Sequence, residues 1–434
     1  MFTVKAAAVA ASAMVALTLG LVLQNQYLVA SSAPLTLFLV LASLMGSPPH
    51  RDIELQRESS RPSIYEDETQ VFTVRVRNNG GPIDFMEILD TLPENLRLET
   101  GSNHQFTSLR AGQTFEFAYE VSPELPGSYT IGPLRIRSTD LLGLWIEEWS
   151  DELFTNLKVF PQIQYVSRID VRPRRTRHWP GEIVARRPSQ GLEFYSLREY
   201  VSGDPLKRIN WRASARFDHL LSNQFMSELG GDTIIALDAR SVSEMGSSAN
   251  SLVTYSVRAA AIVAYRLLRD RNRVGMIVVG DRLDKIHPAS GRRQFDRILT
   301  ALTETRVGNT WEIGNLAGYL SLFFSRMTQI ILITPLLDEK AFRAVADVSA
   351  RGYEVLVISP SLIGVEAGNA DDRRINRIAR DLVRLERQTK ITMLRKHAVV
   401  VDWRVDEPLS EVLQEATFLW TKARRKQSLW FLSA

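Results

Sequence analysis

From Ala6 to Pro49 the chain carries no charged side chain. No other feature restricts the fold as tightly. The stretch divides into two apolar runs, AAAVAASAMVALTLGLVL (6–23) and YLVASSAPLTLFLVLASLMG (27–46), parted by Gln24, Asn25 and Gln26. A helix needs roughly 20 apolar residues to cross the hydrocarbon core of a bilayer, and each run is about that long. The expectation for residues 1–50 is a transmembrane helical hairpin, with helices at about 4–23 and 27–46 and a tight turn between them. Pro34 falls early in the second helix, where lipid-embedded helices tolerate proline. A signal peptide over 1–23, with Lys5 as its n-region, would explain the first run but leave the second unexplained. A buried soluble hairpin would be unusual with no charge at all. Lys5 precedes the hairpin, Arg51 and Arg57 come after it, and the turn has no positive charge. The positive-inside rule therefore places both ends in the cytoplasm, giving a two-helix cell-membrane protein with cytoplasmic soluble domains.

The remainder of this 434-residue chain is long enough for two or more folded domains. Lys and Arg nearly balance Asp and Glu, for a formal charge of +4, so no global polyelectrolyte character points to nucleic acid. Cysteine is absent, which excludes disulfides, thiolate nucleophiles and cysteine metal sites. Residues 51–162 read as an all-β, immunoglobulin-like sandwich. VFTVRVRN (71–78) alternates with period two, setting Phe72, Val74 and Val76 on one face, and Asn-Asn-Gly-Gly-Pro ends it as a turn. Further strand-like pieces continue to residue 162, with Gly and Pro between them.

Residues 163–228 are expected to be a basic connector leading into a signature. RPRRTRH (172–178) with Arg186 and Arg187 could grip nucleic acid or anionic lipid over 172–187, although a solvated linker or a set of intramolecular ion pairs is the favoured reading. Over 229–434 the period changes. Continuous apolar runs such as DTIIALDA (232–239), RVGMIVVG (273–280), TQIILITP (328–335) and YEVLVISP (353–360) alternate with helical segments. That pattern predicts a doubly wound α/β domain whose mostly parallel sheet is covered by helices on both faces.

The segment LREYVSGDPLKRINWRASAR (197–216) carries a specific likeness. Arg198, Glu199, Tyr200, Gly203, Asp204, Arg208, Ile209, Asn210, Trp211, Ala215 and Arg216, with LLSNQFMSE (220–228) after them, resemble the hallmark of a membrane-protein family called domain of unknown function fifty-eight. In that family the signature stands just before a von Willebrand factor A-like domain. The resemblance implies the same order here: membrane hairpin, β domain, signature, A-like domain. Such A-like domains usually hold a divalent cation with an Asp-x-Ser-x-Ser loop, a threonine from a second loop and a later acidic residue. Asp238 and Thr310 match two of these positions. Arg240 and Val242 stand where the serines belong, with Ser241 and Ser243 one residue out of register, and Pro335 stands where the acid belongs. Hard cations need several oxygen ligands, so a degenerate site is expected, with Mg²⁺ as the candidate cofactor if any binds. Arg240 could supply the positive charge instead.

No P-loop or Ser-nucleophile elbow is present. The signature reads as a docking and structural element, with Trp211 buried beneath it, rather than as a catalytic one. The expected function is a non-enzymatic, membrane-anchored interaction or scaffold protein. Because family members are often encoded beside AAA+ ATPases of the MoxR type, the resemblance implies such an ATPase as protein partner, in a chaperone-like envelope assembly. The alternative is an envelope-associated hydrolase using Glu199 and Asp204.

Overall fold

In the computed structural model, residues 3–45, 52–140, 142–163, 177–217, 219–230, 232–246, 250–309, 313–362 and 374–432 are described. The chain forms two compact units, residues 1–160 and 161–434.

The first unit opens with α1 (Val4–Val22) and α2 (Gln26–Met45). Thr3 caps α1, its hydroxyl accepting from the Ala6 amide, and Asn25 accepts from the amides of Tyr27 and Leu28 at the start of α2. The two helices pack against each other. Helix α1 is long and apolar enough to cross a membrane.

A β-rich region comes next, with β1 (Ile53–Ser59), β2 (Ser63–Tyr65), β3 (Gln70–Asn78), β4 (Ile83–Asp90), β5 (Leu96–Gly101), β6 (His104–Leu109), β7 (Thr114–Pro123), β8 (Gly127–Ile131), β9 (Leu134–Thr139), β10 (Ile146–Asp151) and β11 (Thr155–Phe160). They build sheets ordered β1-β3-β7-β5, β10-β9-β4-β6 and β2-β11-β8. The alternation in β3 sends Phe72, Val74 and Val76 into a core shared with Ile88 of β4, Ile136 of β9 and Val159 of β11. Asn78 fixes the turn after β3 by donating from Nδ2 to the carbonyls of Gly81 (2.7 Å) and Leu109 (3.2 Å). Arg57, a flanking charge of the hairpin in the sequence, is buried here. Its guanidinium meets the Asp90 carboxylate at 2.8 and 2.5 Å, Nη1 reaches the carbonyls of Ile131 and Leu153, and Tyr119 donates its hydroxyl to Asp90 at 2.6 Å. Every charged atom of this buried pair therefore has a partner, the condition for its burial to be tolerated.

The second unit begins with a departure from the expected connector. Residues 177–199 form a strand, β12 (Arg177–Glu199), antiparallel to β13 (Leu221–Gly230). The register shifts several times along it, including between Trp179 and Ile183 and between Ser189 and Phe194. Pro180, Gly181 and Gly191 lie in those intervals. Bulges are where a strand accommodates such residues. Residues 172–176 of the basic run lie outside the described residues. The signature forms the connection between β12 and β13 and contains α3 (Trp211–Phe217).

The rest is an α/β region: β14 (Asp232–Asp238), α4 (Leu252–Arg269), β15 (Arg273–Val279), β16 (Leu283–Ala289), α5 (Arg292–Thr303), α6 (Leu316–Phe323), β17 (Gln329–Ile333), α7 (Glu339–Ala350), β18 (Glu354–Ser361), α8 (Arg374–Leu394), β19 (Val399–Arg404) and α9 (Leu409–Leu432). One mixed sheet, ordered β16-β15-β14-β17-β18-β19, is parallel throughout except for the antiparallel edge strand β16. Its central strands are buried along almost their whole length, as continuous apolar runs require. Ile234, Ala236, Ile330, Leu332, Val355 and Val357 pack with α6, α7 and α8 in one core. The alternate side chains point the other way, where α4, α5 and α9 contact the strands.

Candidate functional site

In a parallel sheet the carboxyl ends of the strands open onto loops that can carry function. Here β14 ends on Asp238, whose side chain is fully buried. Two residues on, Arg240 turns its guanidinium back over the strand end. Nε donates to Asp238 Oδ1 at 2.8 Å and Nη2 to Oδ2 at 2.9 Å, a bidentate pairing. The far side of the same guanidinium meets Asp338, with Nη1 to Oδ2 at 2.7 Å and Nη2 to Oδ1 at 2.9 Å. Thr334, just past β17, donates its hydroxyl to Asp238 Oδ2 at 2.7 Å. Asp338 also caps α7, accepting from the Ala341 amide at 3.1 Å.

One cation thus bridges two carboxylates, one at the end of β14 and one at the start of α7. Burial works against the charge of Arg240, but the hydrogen bonds and attraction of Asp338 and Asp238 outweigh it and raise the guanidinium above its ordinary pKa. Arg240, in turn, holds the Asp338 carboxyl below the usual range through its hydrogen bonds, against the opposing effect of burial. The neighbouring loop is drawn in by backbone. Arg240 bridges to Gly308, and the Gly308 amide donates to the Ala239 carbonyl at 3.3 Å. A Cβ on Gly308 would lie 2.6 Å from the Asp281 Cα, so the approach requires glycine. Asn309 and Ser241 are hydrogen-bonded side chain to side chain.

A second arginine closes the next strand ends. Arg387 of α8 donates from Nε to Asp402 Oδ1 at 3.0 Å, from Nη1 to the Pro335 carbonyl at 2.8 Å and from Nη2 to Ser359 Oγ at 2.8 Å. The charged groups along this edge are therefore largely spent on each other.

The cation site implied by the A-like resemblance does not fit these residues. Both carboxylates that could coordinate an ion already clasp the guanidinium. Ser243 is buried two residues beyond Ser241, whose hydroxyl is taken by Asn309. Thr310 lies outside the described residues. The acid missing at Pro335 is supplied three residues later by Asp338. Sequence patterns single out none of Asp338, Thr334 and Arg387. Only Asp338 leaves a signal, as an aspartate opening a helical run, the usual N-cap pattern.

The signature residues have other partners. Asp204 accepts from Arg198 Nη2 at 2.6 Å and from the Val201 amide at 3.2 Å, and the Arg198 hydrogen bond lowers its pKa. Gly203 has φ of 108°, in the region that favours glycine. Asn210 caps α3 through the Ala213 amide at 3.0 Å and donates to Asn223 of β13 at 2.9 Å. Tyr200 bonds through its backbone amide to the Leu220 carbonyl at 2.8 Å. Glu199 is exposed, with its carboxylate 3.9 Å from His219 Nε2. Arg216 is exposed and Arg208 half-buried. The structure corrects one expectation here: Trp211 is exposed, at 63%. The residues pointing inward are Ile209 and Ser214, the latter accepting from the Leu221 amide at 2.9 Å. Glu199, Asp204 and Asp238 belong to three separate constellations.

Residues 196–361 match the family model described as "Protein of unknown function DUF58". The DUF58 match runs from late β12, through the whole signature and the Asp238–Arg240–Asp338 cluster, to the end of β18. The chain is also 22% identical over 272 residues to "Uncharacterized protein YeaD" of Bacillus subtilis, an alignment covering 61% of this chain and 65% of that protein. It thus spans just under two thirds of that relative's length. Two of the similar solved structures each match part of the chain. A FixG-related protein from Vibrio parahaemolyticus is 9% identical with a TM-score of 0.19, covering 25% of this chain and 98% of that one. Proximal thread matrix protein 1 from the mussel byssus is 15% identical with a TM-score of 0.28, covering 43% of this chain and 45% of that one.

Proposed function

We propose that this chain is a membrane-anchored, non-enzymatic interaction protein. Helices α1 and α2 form a two-pass hairpin, the β-rich region is an immunoglobulin-like module, and the α/β region is of the von Willebrand factor A type, with both soluble parts cytoplasmic. The observation that carries this reading is the cation bridge at the end of β14. A crevice whose acids are neutralised by Arg240 offers neither an acid–base pair nor a coordination shell. What it offers is a rigid polar rim for a protein partner. Glu199 and Asp204, the pair a hydrolase would use, have separate basic partners, which favours the binding reading over the hydrolytic one.

The partner that fits the DUF58 likeness is an AAA+ ATPase of the MoxR type, giving a chaperone-like assembly at the membrane. The test is crosslinking in native membranes carrying the full chain, with capture and identification of the bound proteins. Recovery of such an ATPase, lost when rim residues such as Asn309 are replaced, is expected. Failure to recover any ATPase, together with a hydrolytic activity abolished by Glu199→Gln or Asp204→Asn in folded protein, would overturn the proposal.

A further inference from the structure

The connection between β12 and β13 buries Ile209 and Ser214 but leaves most of its large apolar side chains exposed. Val201, Leu206, Trp211, Phe217 and Leu220 are 61, 69, 63, 62 and 45% exposed. Single exposed apolar residues are ordinary on protein surfaces. Five within twenty residues, two of them large aromatics, make a patch of the kind that marks a contact surface. The hydrogen bonds of Asn210 and Ser214 hold the backbone of this segment to β13 and leave Trp211 facing out.

Between Leu206 and Phe217 the interleaved charges all have one sign, with Asp204 and Asp218 flanking that stretch. From Pro205 to Phe217 the charged residues are Lys207, Arg208, Arg212 and Arg216, with no acid among them. Lys207, Arg212 and Arg216 are exposed and form no ion pair among the described residues. Asp204, the nearest acid before them, is bound to Arg198. The surface therefore presents aromatic and aliphatic side chains between cations that are unpaired among the described residues.

That combination is the chemistry of the bilayer interface. Aromatic rings settle at the headgroup level, and each basic residue near an anionic leaflet contributes about fivefold in binding. A protein partner would have to bring an acidic, apolar complement of its own. A bilayer, by contrast, is brought within reach by the chain's own apolar helix α1. We propose that the tip of the β12–β13 hairpin docks onto an anionic phospholipid surface, so that the second unit is held at the membrane by a contact separate from the helices. This rests on the membrane-anchored reading above.

The absence of cysteine allows a clean test. Ala215, exposed on α3 among the patch residues, is replaced by cysteine in the full chain and given an environment-sensitive fluorophore. The protein is reconstituted into vesicles of phosphatidylcholine alone or of an equal mixture with phosphatidylglycerol, and quenching by lipid-borne quenchers is measured. Carbonate-resistant incorporation is scored first, so that failure of the membrane anchor is distinguished from failure of the patch to dock. Expected are strong quenching in the anionic vesicles, weak quenching in the neutral ones, and loss of the anionic effect at high salt. Neutralising Lys207, Arg212 and Arg216 together to Gln should lower the ratio of docked to free patch about 100-fold. Trp211→Ala should weaken quenching while leaving amide protection in β13 unchanged, because the ring is not part of the core. An incorporated chain whose label stays accessible to water in both vesicles would overturn the proposal. So would a label protected equally in neutral vesicles and after charge removal, which would indicate contact with protein rather than lipid.

Discussion

Truncating Arg240 to Ala removes the guanidinium and its four side-chain hydrogen bonds to Asp238 and Asp338. Asp238 is then left in a fully buried position with the Thr334 hydroxyl and the amide of residue 240 as its donors. Asp338 is less affected, because about a quarter of its side chain reaches solvent. Breaking one side of a buried ion pair typically costs about 3–5 kcal/mol. The partial exposure of Asp338 argues for the lower end, about 3 kcal/mol. A single melting temperature is ill-defined for a chain with two compact units, so amide hydrogen exchange of the purified full-length protein is the suitable assay. For a cost of about 3 kcal/mol, protection in β14 and β17 should fall on the order of 100-fold if those amides exchange through opening of the α/β unit. Protection in β3 and β7 of the first unit should not change. Protection in β14 within about threefold of wild type would refute the idea that the guanidinium is what holds these strand ends together.

The same physics has other consequences. Tyr119→Phe removes the hydroxyl that donates to buried Asp90 and should destabilise the β-rich region by about 1–3 kcal/mol, seen as lost amide protection in β3 and β4. Arg57→Leu should cost more, because it leaves the Asp90 carboxylate buried without its counter-ion. Asp338 has a folded-state pKa below its unfolded value. Its contribution is therefore fully present above the unfolded value of about 3.9 and is lost as pH falls through the lower folded value. Exchange-monitored stability of the α/β region should decline in that acid window, and Asp338→Asn should flatten the decline.

Much of this architecture is legible in residue patterns, and the exceptions have physical causes. Period-two alternation locates Phe72, Val74 and Val76, because a half-buried strand must alternate. The continuous apolar runs locate β14, β15, β17 and β18, because strands covered on both faces need no polar side. Strand β12 is hidden because its arginines, prolines and glycines argue against a strand, and only the bulged pairing with β13 accommodates them. Trp211 is expected inside because large aromatics usually are. Instead, the capping role of Asn210 and the inward hydrogen bond of Ser214 rotate α3 so that its small polar residue, not its ring, faces β13. The site is half legible. Only the A-like resemblance marks Asp238 and the displaced serines as a degenerate cation position, and Arg240 offers a substitute charge. The acid that completes the bridge, Asp338, sits three residues beyond where a ligand pattern would look. It is brought in by the start of α7 rather than by the strand.

The most direct test of the account is the response of the α/β region to Mg²⁺. A ligand that binds only the folded state, present at 100 times its dissociation constant, adds about 2.7 kcal/mol of stability. If Arg240 already occupies the carboxylates that an ion would need, millimolar Mg²⁺ should leave amide protection in β14 and β17 of the wild-type chain unchanged. Mg²⁺-dependent protection of roughly that size in wild type, abolished by Asp238→Ala, would show that the crevice binds a cation after all and that the guanidinium bridge is not its working state.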